Sequence, residues 1–276
     1  MKFSNLAYAK LKLSFDKSAF IEEYDSFIFP RSNNISNGKK AILNSIPINL
    51  SWKMVDPEIY LKTDMFTQPR DITTRKHHKG EHPAWMMYQM MELDLKDVND
   101  PLMIKYASFG GSALRNATLD KTFFLKKECR DLKIAKWVFD TLPFKKINSI
   151  HCVSIEPNGF GAIHRDSISL HNSNVVNGLG SNNLYKQGFV IININISNGG
   201  VPLYWSLDDD NFQHAYQSDD DVYLTNDYFY HGIPLCSSRR RQVRVTGIPE
   251  DKMFDLFDRS SIISIPDNYN YRENDF

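Results

Sequence analysis

The pattern of the 276-residue chain changes at Pro143, and this change constrains the fold more than any other feature of the sequence. Before Pro143 there are stretches of helical periodicity, and after it come short segments rich in isoleucine and valine, separated by asparagine, glycine and proline. Such punctuation predicts short antiparallel strands. The predicted strands are 147–156, 189–196, 201–207, 222–233 and 242–248. We therefore expect a sandwich or jelly roll.

Local signals add three expectations to this pattern. Apolar residues of 18–28 recur at helical spacing and predict a short amphipathic helix that Pro30 ends. A longer apolar stripe predicts a second helix over 119–142. The turn Asn198-Gly199-Gly200 predicts a hairpin that joins 189–196 to 201–207.

The domain prediction follows from this division of the chain. We expect residues 119–250 to form the β core and residues 1–118 to form a mixed and helical cap packed on it. Residues 251–276 are expected to form a C-terminal tail with a short helix. The predicted fold class is mainly β with helical additions.

Composition limits the class of function. Thirty-three basic and thirty-three acidic residues give a formal net charge of zero, which argues against a dedicated nucleic-acid binder. Three cysteines far apart in the sequence are typical of a reducing compartment and do not form a disulfide framework. The sequence has no apolar run of membrane-spanning length and no export signal. We expect a cytoplasmic protein without membrane contact.

The segment Ile163-His164-Arg165-Asp166 carries the most informative chemistry. In extended backbone, His164 and Asp166 project from the same face. An imidazole nitrogen and a carboxylate oxygen that converge in this way suit a divalent metal of intermediate softness. Taken alone, the pair is more typical of a loop histidine hydrogen-bonded to a neighbouring carboxylate.

Two residues further along the chain favour the metal site. His231 lies near the end of a predicted strand, and Arg241 follows ten residues later at the start of the next one. The order of H-x-D, predicted hairpins, a second histidine and an arginine matches the layout of a facial triad of two histidines and one carboxylate on a jelly roll.

In these motifs the sequence resembles the Fe(II)/2-oxoglutarate-dependent oxygenases, and within them the aspartyl/asparaginyl β-hydroxylase type. The resemblance covers about 120–248. It runs through Pro157-Asn158-Gly159, the H-x-D segment, Ile194-Asn195-Ile196, Tyr204-Trp205, His231-Gly232 and Arg241. It implies a double-stranded β-helix, the cupin-like jelly roll, as the core.

The resemblance also implies the ligand roles. His164, Asp166 and His231 would bind Fe(II), with no further catalytic residue assigned. Arg241 would bind the distal carboxylate of 2-oxoglutarate, because the guanidinium fork matches a carboxylate bidentately. Arg244 is the second choice: it pairs with Thr246 as an arginine-x-hydroxyl motif, whereas an apolar barrel interior favours the face of Arg241. Asn195, on an otherwise apolar strand, is a further candidate contact for the cosubstrate.

The implied reaction is a dioxygenase reaction. It would use O2 and 2-oxoglutarate to hydroxylate an amino acid, free or in a peptide, and release succinate and CO2. Two alternatives stay open from the sequence. One is a non-catalytic jelly-roll binding protein with a vestigial site, and the other is a nucleic-acid-directed oxygenase in which Arg239 to Arg241 would touch phosphate. The sequence does not determine the substrate or the oligomeric state.

Overall fold

The computed structural model describes residues 3–34, 85–93, 123–157, 161–164, 189–197, 204–206, 212–214, 222–226, 230–233 and 238–264. Within them the fold is mainly antiparallel β with few helices, as expected from the sequence. The strands are β1 Leu6–Lys10, β2 Asn33–Asn34, β3 Trp85–Gln89, β4 Met91–Leu93, β5 Phe123–Leu125, β6 Phe144–Ile155, β7 Gly161–His164, β8 Val190–Asn195, β9 Tyr204–Ser206, β10 Phe212–His214, β11 Val222–Thr225, β12 Tyr230–Ile233, β13 Arg240–Pro249 and β14 Ile263–Ser264.

The helices of the described residues are short. They are α1 Lys17–Glu23, a π-helical turn Tyr24–Ile28, α2 Lys133–Thr141 and the 3-10 segments Phe3–Asn5, Phe29–Arg31, Lys127–Cys129, Asp251–Leu256 and Arg259–Ser261. None of the helices in the described ranges is long and apolar enough to cross a membrane.

Three sheets organise the strands of the described residues. The large sheet has the order β14-β1-β11-β8-β13-β6-β3-β2, a four-stranded sheet has the order β10-β9-β12-β7, and β4 pairs with β5. From β6 to β13 the chain moves back and forth between the large sheet and the four-stranded sheet. This β-rich arrangement is jelly-roll-like.

The helices cover one face of the large sheet. Val243 and Val245 of β13 and Ile192 of β8 lie on this face, fully buried, in a cluster with the helical residues Tyr24 and Val138. Burial of such aliphatic side chains contributes about 1.5–3 kcal/mol each. This helix-covered face therefore holds the hydrophobic core.

The first predicted helix is confirmed, and α1 begins where the sequence provides a cap. Asp16 accepts a hydrogen bond from the Ala19 backbone N–H at 3.0 Å, as an N-cap aspartate does. The helical turns continue through Tyr24–Ile28, and Pro30 lies in the final 3-10 segment.

The predicted helix over 119–142 is only partly correct. Phe123–Leu125 forms a strand paired with β4, and regular helix begins at Lys133. The carboxylate of Glu23 accepts hydrogen bonds from the backbone N–H groups of Lys133 at 2.6 Å and Ile134 at 2.8 Å. These bonds satisfy N–H groups that the first helical turn leaves without partners, so α1 fixes the start of α2.

Two strand predictions are corrected by the sheet order. The expected hairpin of 189–196 with 201–207 is wrong, because β8 belongs to the large sheet and β9 to the four-stranded sheet. The segment 222–233, predicted as one strand, contains two strands in different sheets, β11 and β12. In both places the chain leaves one sheet and joins the other, which turn residues alone do not reveal.

The segment 1–118, predicted as a cap, contributes strands to the large sheet. In its described part, β1 pairs with β11 and β3 pairs with β6. The C-terminal segment also returns to this sheet, since β14 pairs with β1 after the 3-10 helix Asp251–Leu256. The division of the chain into cap, core and tail stays a prediction.

A thiol and a phenol that are buried in the core predict a loss of stability at alkaline pH. Burial raises the pKa of the Cys152 thiol and of the Tyr24 phenol well above their ordinary values. The folded state therefore binds these protons more tightly than the unfolded state. The folded state keeps its full stability below the unfolded pKa of each group, and it loses stability as the pH rises above that value. Each group should cost about 1.4 kcal/mol per pH unit above its unfolded pKa, about 8.5 for cysteine and about 10 for tyrosine.

Urea denaturation measured at pH 7.5 and pH 9.5 checks this expectation. The free energy of unfolding should fall between the two, and the fall should be smaller in Cys152→Ala, whose lower baseline stability does not affect the comparison. A pH-independent value for the natural protein would contradict the proposed environment of Cys152.

Candidate metal and anion site

The two histidines singled out in the sequence lie on neighbouring strands. His164 ends β7 and His231 is in β12, and the antiparallel register places the two residues directly opposite each other. Positions opposite each other in an antiparallel pair share a face of the sheet, with Cβ atoms about 4.5–5.5 Å apart. The fold thus brings together two residues that are far apart in the sequence.

The rest of the predicted ligand set is not described by the structure. Asp166 follows β7 by two residues and lies outside the described residues. Within the described ranges there is no group of three or more histidine, cysteine, aspartate or glutamate side chains that could hold a metal ion. The roles of His164, Asp166 and His231 as ligands stay predictions.

The face of the large sheet opposite the helices is polar and buried. On β13 the even-numbered residues Arg240, Gln242, Arg244 and Thr246 share this face with Asn193 of β8. Gln242, Thr246 and Asn193 are at most 6 % exposed. Buried polar groups of this kind need hydrogen-bond partners.

Arg241, the first choice for the 2-oxoglutarate arginine, lies on the helix-covered face instead. Its guanidinium forms a bidentate ion pair with Asp25 of the π-helical turn, Nε to Oδ1 at 2.8 Å and Nη2 to Oδ2 at 2.7 Å. The fork that would match the cosubstrate's carboxylate is therefore already occupied by a protein carboxylate.

Arg239 is engaged in the same way. Its Nε and Nη2 donate to the two carboxylate oxygens of Glu156 at 2.8 and 3.1 Å, and its guanidinium stacks on the Phe29 ring at 3.7 Å. The hydrogen bonds to Glu156 raise the pKa of Arg239. Two of the three consecutive arginines thus have their charge balanced by neighbouring carboxylates.

Arg240 differs from both neighbours. It is 2 % exposed, and its Nη1 donates to Oε1 of Gln242 at 2.7 Å. Among the described residues, its guanidinium contacts no carboxylate and its Nε is buried without a hydrogen-bond partner. A buried cation without an anion is costly, so this position suits an anionic ligand.

A neutral hydrogen-bond network extends from Arg240 across the polar face. Gln242 Nε2 donates to Asn193 Oδ1 at 2.9 Å and to the Tyr223 hydroxyl at 3.0 Å. Asn193 Nδ2 in turn donates to Thr225 Oγ1 at 2.8 Å. We call Arg240, Gln242, Asn193, Tyr223 and Thr225 the polar network.

The remaining predicted contacts lie near this network. Arg244, the second choice for the cosubstrate, is opposite His151 of β6 on one side and Asn193 on the other. Asn195 is buried, and its Oδ1 accepts a hydrogen bond from the backbone N–H of Ser197 at 3.3 Å. This bond gives Asn195 a local structural role at the end of β8.

The sequence reasoning gave Arg240 no role beyond the phosphate-binding alternative, whereas the structure buries it on the polar face. The signal was present in the alternation of β13: Arg240, Gln242, Arg244 and Thr246 are polar, and Val243 and Val245 between them are apolar. The apolar set was assigned to the barrel interior, whereas the structure packs it under the helices.

Comparison with known proteins gives structural similarities only. No family model matches the chain. No curated protein matches it significantly in sequence.

Among solved structures, the chain is similar to a prolyl-4-hydroxylase of Pseudomonas putida, with a TM-score of 0.30 and 10% identity, covering 85% of this chain and 100% of that one. It is also similar to a 2OG-Fe(II) oxygenase family oxidoreductase of Burkholderia pseudomallei, with a TM-score of 0.30 and 12% identity over 61% and 68% of the two chains. A third is HygX of Streptomyces hygroscopicus, solved with nickel, 2-oxoglutarate and hygromycin B, at a TM-score of 0.36 and 12% identity over 89% and 84%. At these TM-scores the similarities carry no argument about this chain.

The ion pair of Arg241 predicts a stability effect. In Asp25→Asn the carboxylate charge is lost, and because the Asp25 side chain is 37% exposed, the cost should be about 1 kcal/mol. Urea denaturation measures it. Glu22→Gln, at an exposed position of α1, is the matched control and should change stability by less than about 0.5 kcal/mol. Equal effects of the two substitutions would contradict a stabilising role for the ion pair.

Proposed function

We propose that the protein is an Fe(II)- and 2-oxoglutarate-dependent dioxygenase. The observation that carries the proposal is the register of β7 and β12, which sets His231 opposite His164. His164 belongs to the H-x-D motif and His231 is the second histidine of the pattern through which the sequence resembles this family. The strand pairing is independent of the motif reasoning, and it supports the same two residues.

The proposed core is a double-stranded β-helix. Its support is the sheet order: β6, β13, β8 and β11 are consecutive neighbours in the large sheet, and β7, β12, β9 and β10 are consecutive neighbours in the four-stranded sheet. The eight strands from β6 to β13 therefore divide four and four between the two sheets, as two interleaved sheets of a jelly roll require.

The residues fit the implied metal. Two histidines at paired strand positions, with an aspartate two residues after one of them in the sequence, supply a donor set of intermediate softness that suits Fe(II) and leaves coordination positions for other ligands. His164, Asp166 and His231 would hold the ion, which when bound would support oxidation by O2 coupled to conversion of 2-oxoglutarate to succinate and CO2.

For the cosubstrate we propose Arg240 in place of Arg241. The support is the contrast in charge balance: Arg241 is paired with Asp25, whereas Arg240 is buried and contacts no carboxylate within the described residues. Arg240 would bind the distal carboxylate of 2-oxoglutarate and orient the molecule within the polar face. Arg244, on the same face, stays the alternative, and Asn195 is proposed only as a neighbouring contact.

The proposed substrate is an amino acid, free or in a peptide. This part of the proposal rests on the sequence resemblance to the aspartyl/asparaginyl β-hydroxylase type. The nucleic-acid alternative has less support, because two of the three arginines expected to touch phosphate, Arg239 and Arg241, are paired with Glu156 and Asp25. A vestigial binding protein is the outcome if no iron is bound.

Iron binding tests the two histidines. His164→Ala and His231→Ala should each lower the iron retained per chain to background after anaerobic loading and gel filtration, because each removes one of three protein ligands. His214→Ala is the matched control, since His214 lies in β10 at the opposite edge of the same sheet. Full iron retention in both test variants would contradict the proposed site.

Calorimetric titration of 2-oxoglutarate under argon, on the Fe(II)-loaded protein, tests the arginine. Arg240→Ala should weaken binding by roughly 10- to 100-fold, the range for loss of a charged hydrogen-bond partner. Arg241→Ala should leave the affinity nearly unchanged while lowering stability, because its guanidinium serves Asp25. If Arg241→Ala weakened binding more than Arg240→Ala, the role of binding 2-oxoglutarate would return to Arg241. If only Arg244→Ala lowered the affinity, the role would belong to Arg244.

A further inference from the structure

The amide of Gln242 has a fixed orientation. Its Oε1 accepts from Arg240 Nη1 at 2.7 Å, while its Nε2 donates to Asn193 Oδ1 and to the Tyr223 hydroxyl. Turning the amide over would set an NH2 group against the guanidinium and an oxygen against the Asn193 oxygen. The network therefore holds an acceptor toward Arg240, and only one arrangement satisfies every member.

The acceptor that holds Arg240 is neutral. Gln242, Asn193 and Thr225 carry no charge, so they orient the guanidinium without cancelling its positive charge. The two neighbouring arginines are held by carboxylates instead. Arg241 is paired with Asp25, and Arg239, just before β13, is paired with Glu156. In those two pairs the anion-binding capacity is used within the protein.

We propose that Gln242 is a positioning residue that keeps the Arg240 guanidinium oriented and uncompensated for the distal carboxylate of 2-oxoglutarate. This inference rests on the proposed function, and it adds a residue for which neither the motif nor the resemblance assigns a role. It predicts that a carboxylate at position 242 would pair with Arg240, as Asp25 pairs with Arg241, and would compete with the cosubstrate directly.

Two substitutions of nearly equal size separate this role from a structural one. Gln242→Glu keeps an acceptor for Arg240 and adds a negative charge, whereas Gln242→Met removes the hydrogen bonds and adds no charge. If Gln242 preserves the charge of Arg240, the glutamate should weaken 2-oxoglutarate binding more than the methionine. A merely structural residue would give the opposite order, because methionine loses more hydrogen bonds.

The measurement is the dissociation constant of 2-oxoglutarate by calorimetry on the Fe(II)-loaded full chain under argon. We expect roughly 10- to 100-fold weaker binding for Gln242→Glu and roughly 2- to 10-fold weaker binding for Gln242→Met. Gln89→Glu is the matched control. Gln89 lies in β3, opposite His151 of β6, on the same face as Gln242 and two strands away from it. The same chemical change at this position should alter the affinity by less than about threefold.

The outcomes distinguish the two proposals. If the natural protein binds Fe(II) but not 2-oxoglutarate, the proposed function fails. If it binds both, and Gln242→Glu binds the cosubstrate within about twofold of the natural protein or more tightly than Gln242→Met, the role of Gln242 is overturned while the function stands. Thermal unfolding and iron retention, measured on each variant, confirm that the compared proteins are folded.

Discussion

The two-residue period of β13 is the constraint on which the rest of the structure depends. This strand pairs with β6 on one edge and with β8 on the other, so its side chains can project only toward the helices or toward the polar face. Val243 and Val245 complete the hydrophobic core, and Gln242 joins the polar network. A shift of the register by one residue would exchange the two sets, burying the polar side chains in the core. Core packing therefore fixes the position of the candidate anion site.

The same alternation gives two neighbouring arginines different roles. Arg241 serves the fold, because its ion pair with Asp25 attaches the first helical segment to the central strand. Glu23, two residues before Asp25, caps α2, so this short segment links both helices to the sheet. Arg240 faces the other way, and among the described residues its guanidinium contacts a neutral amide and no carboxylate. A buried and uncompensated cation reduces stability unless it binds an anion, and such a cost is typical of a ligand site.

The local patterns predicted six of the fourteen described strands, all of them after Pro143. Alternation and aliphatic runs identified β6, β8 and most of β13, because a buried strand carries an aliphatic or alternating pattern in its own sequence. Sheet membership could not be read in the same way. The turn after β8 has the composition of a hairpin, yet β9 belongs to the other sheet. The pairing of His231 with His164 depends on a second crossing, between β11 and β12. The burial of Arg240 was not predicted, because the sequence shows that β13 has two different faces but does not show which of them the helices cover.

We propose that His164 and His231, which pair across β7 and β12, belong to an iron centre that binds 2-oxoglutarate. Anaerobic titration of the metal-free protein with Fe(II) and then 2-oxoglutarate, followed by visible absorption, tests this assignment. An iron centre of this kind should give the charge-transfer band of a chelated 2-oxo acid, which should saturate with one 2-oxoglutarate per chain and be lost in His231→Ala. Absence of the band in folded protein that is supplied with both components would exclude this assignment and favour a jelly-roll binding protein.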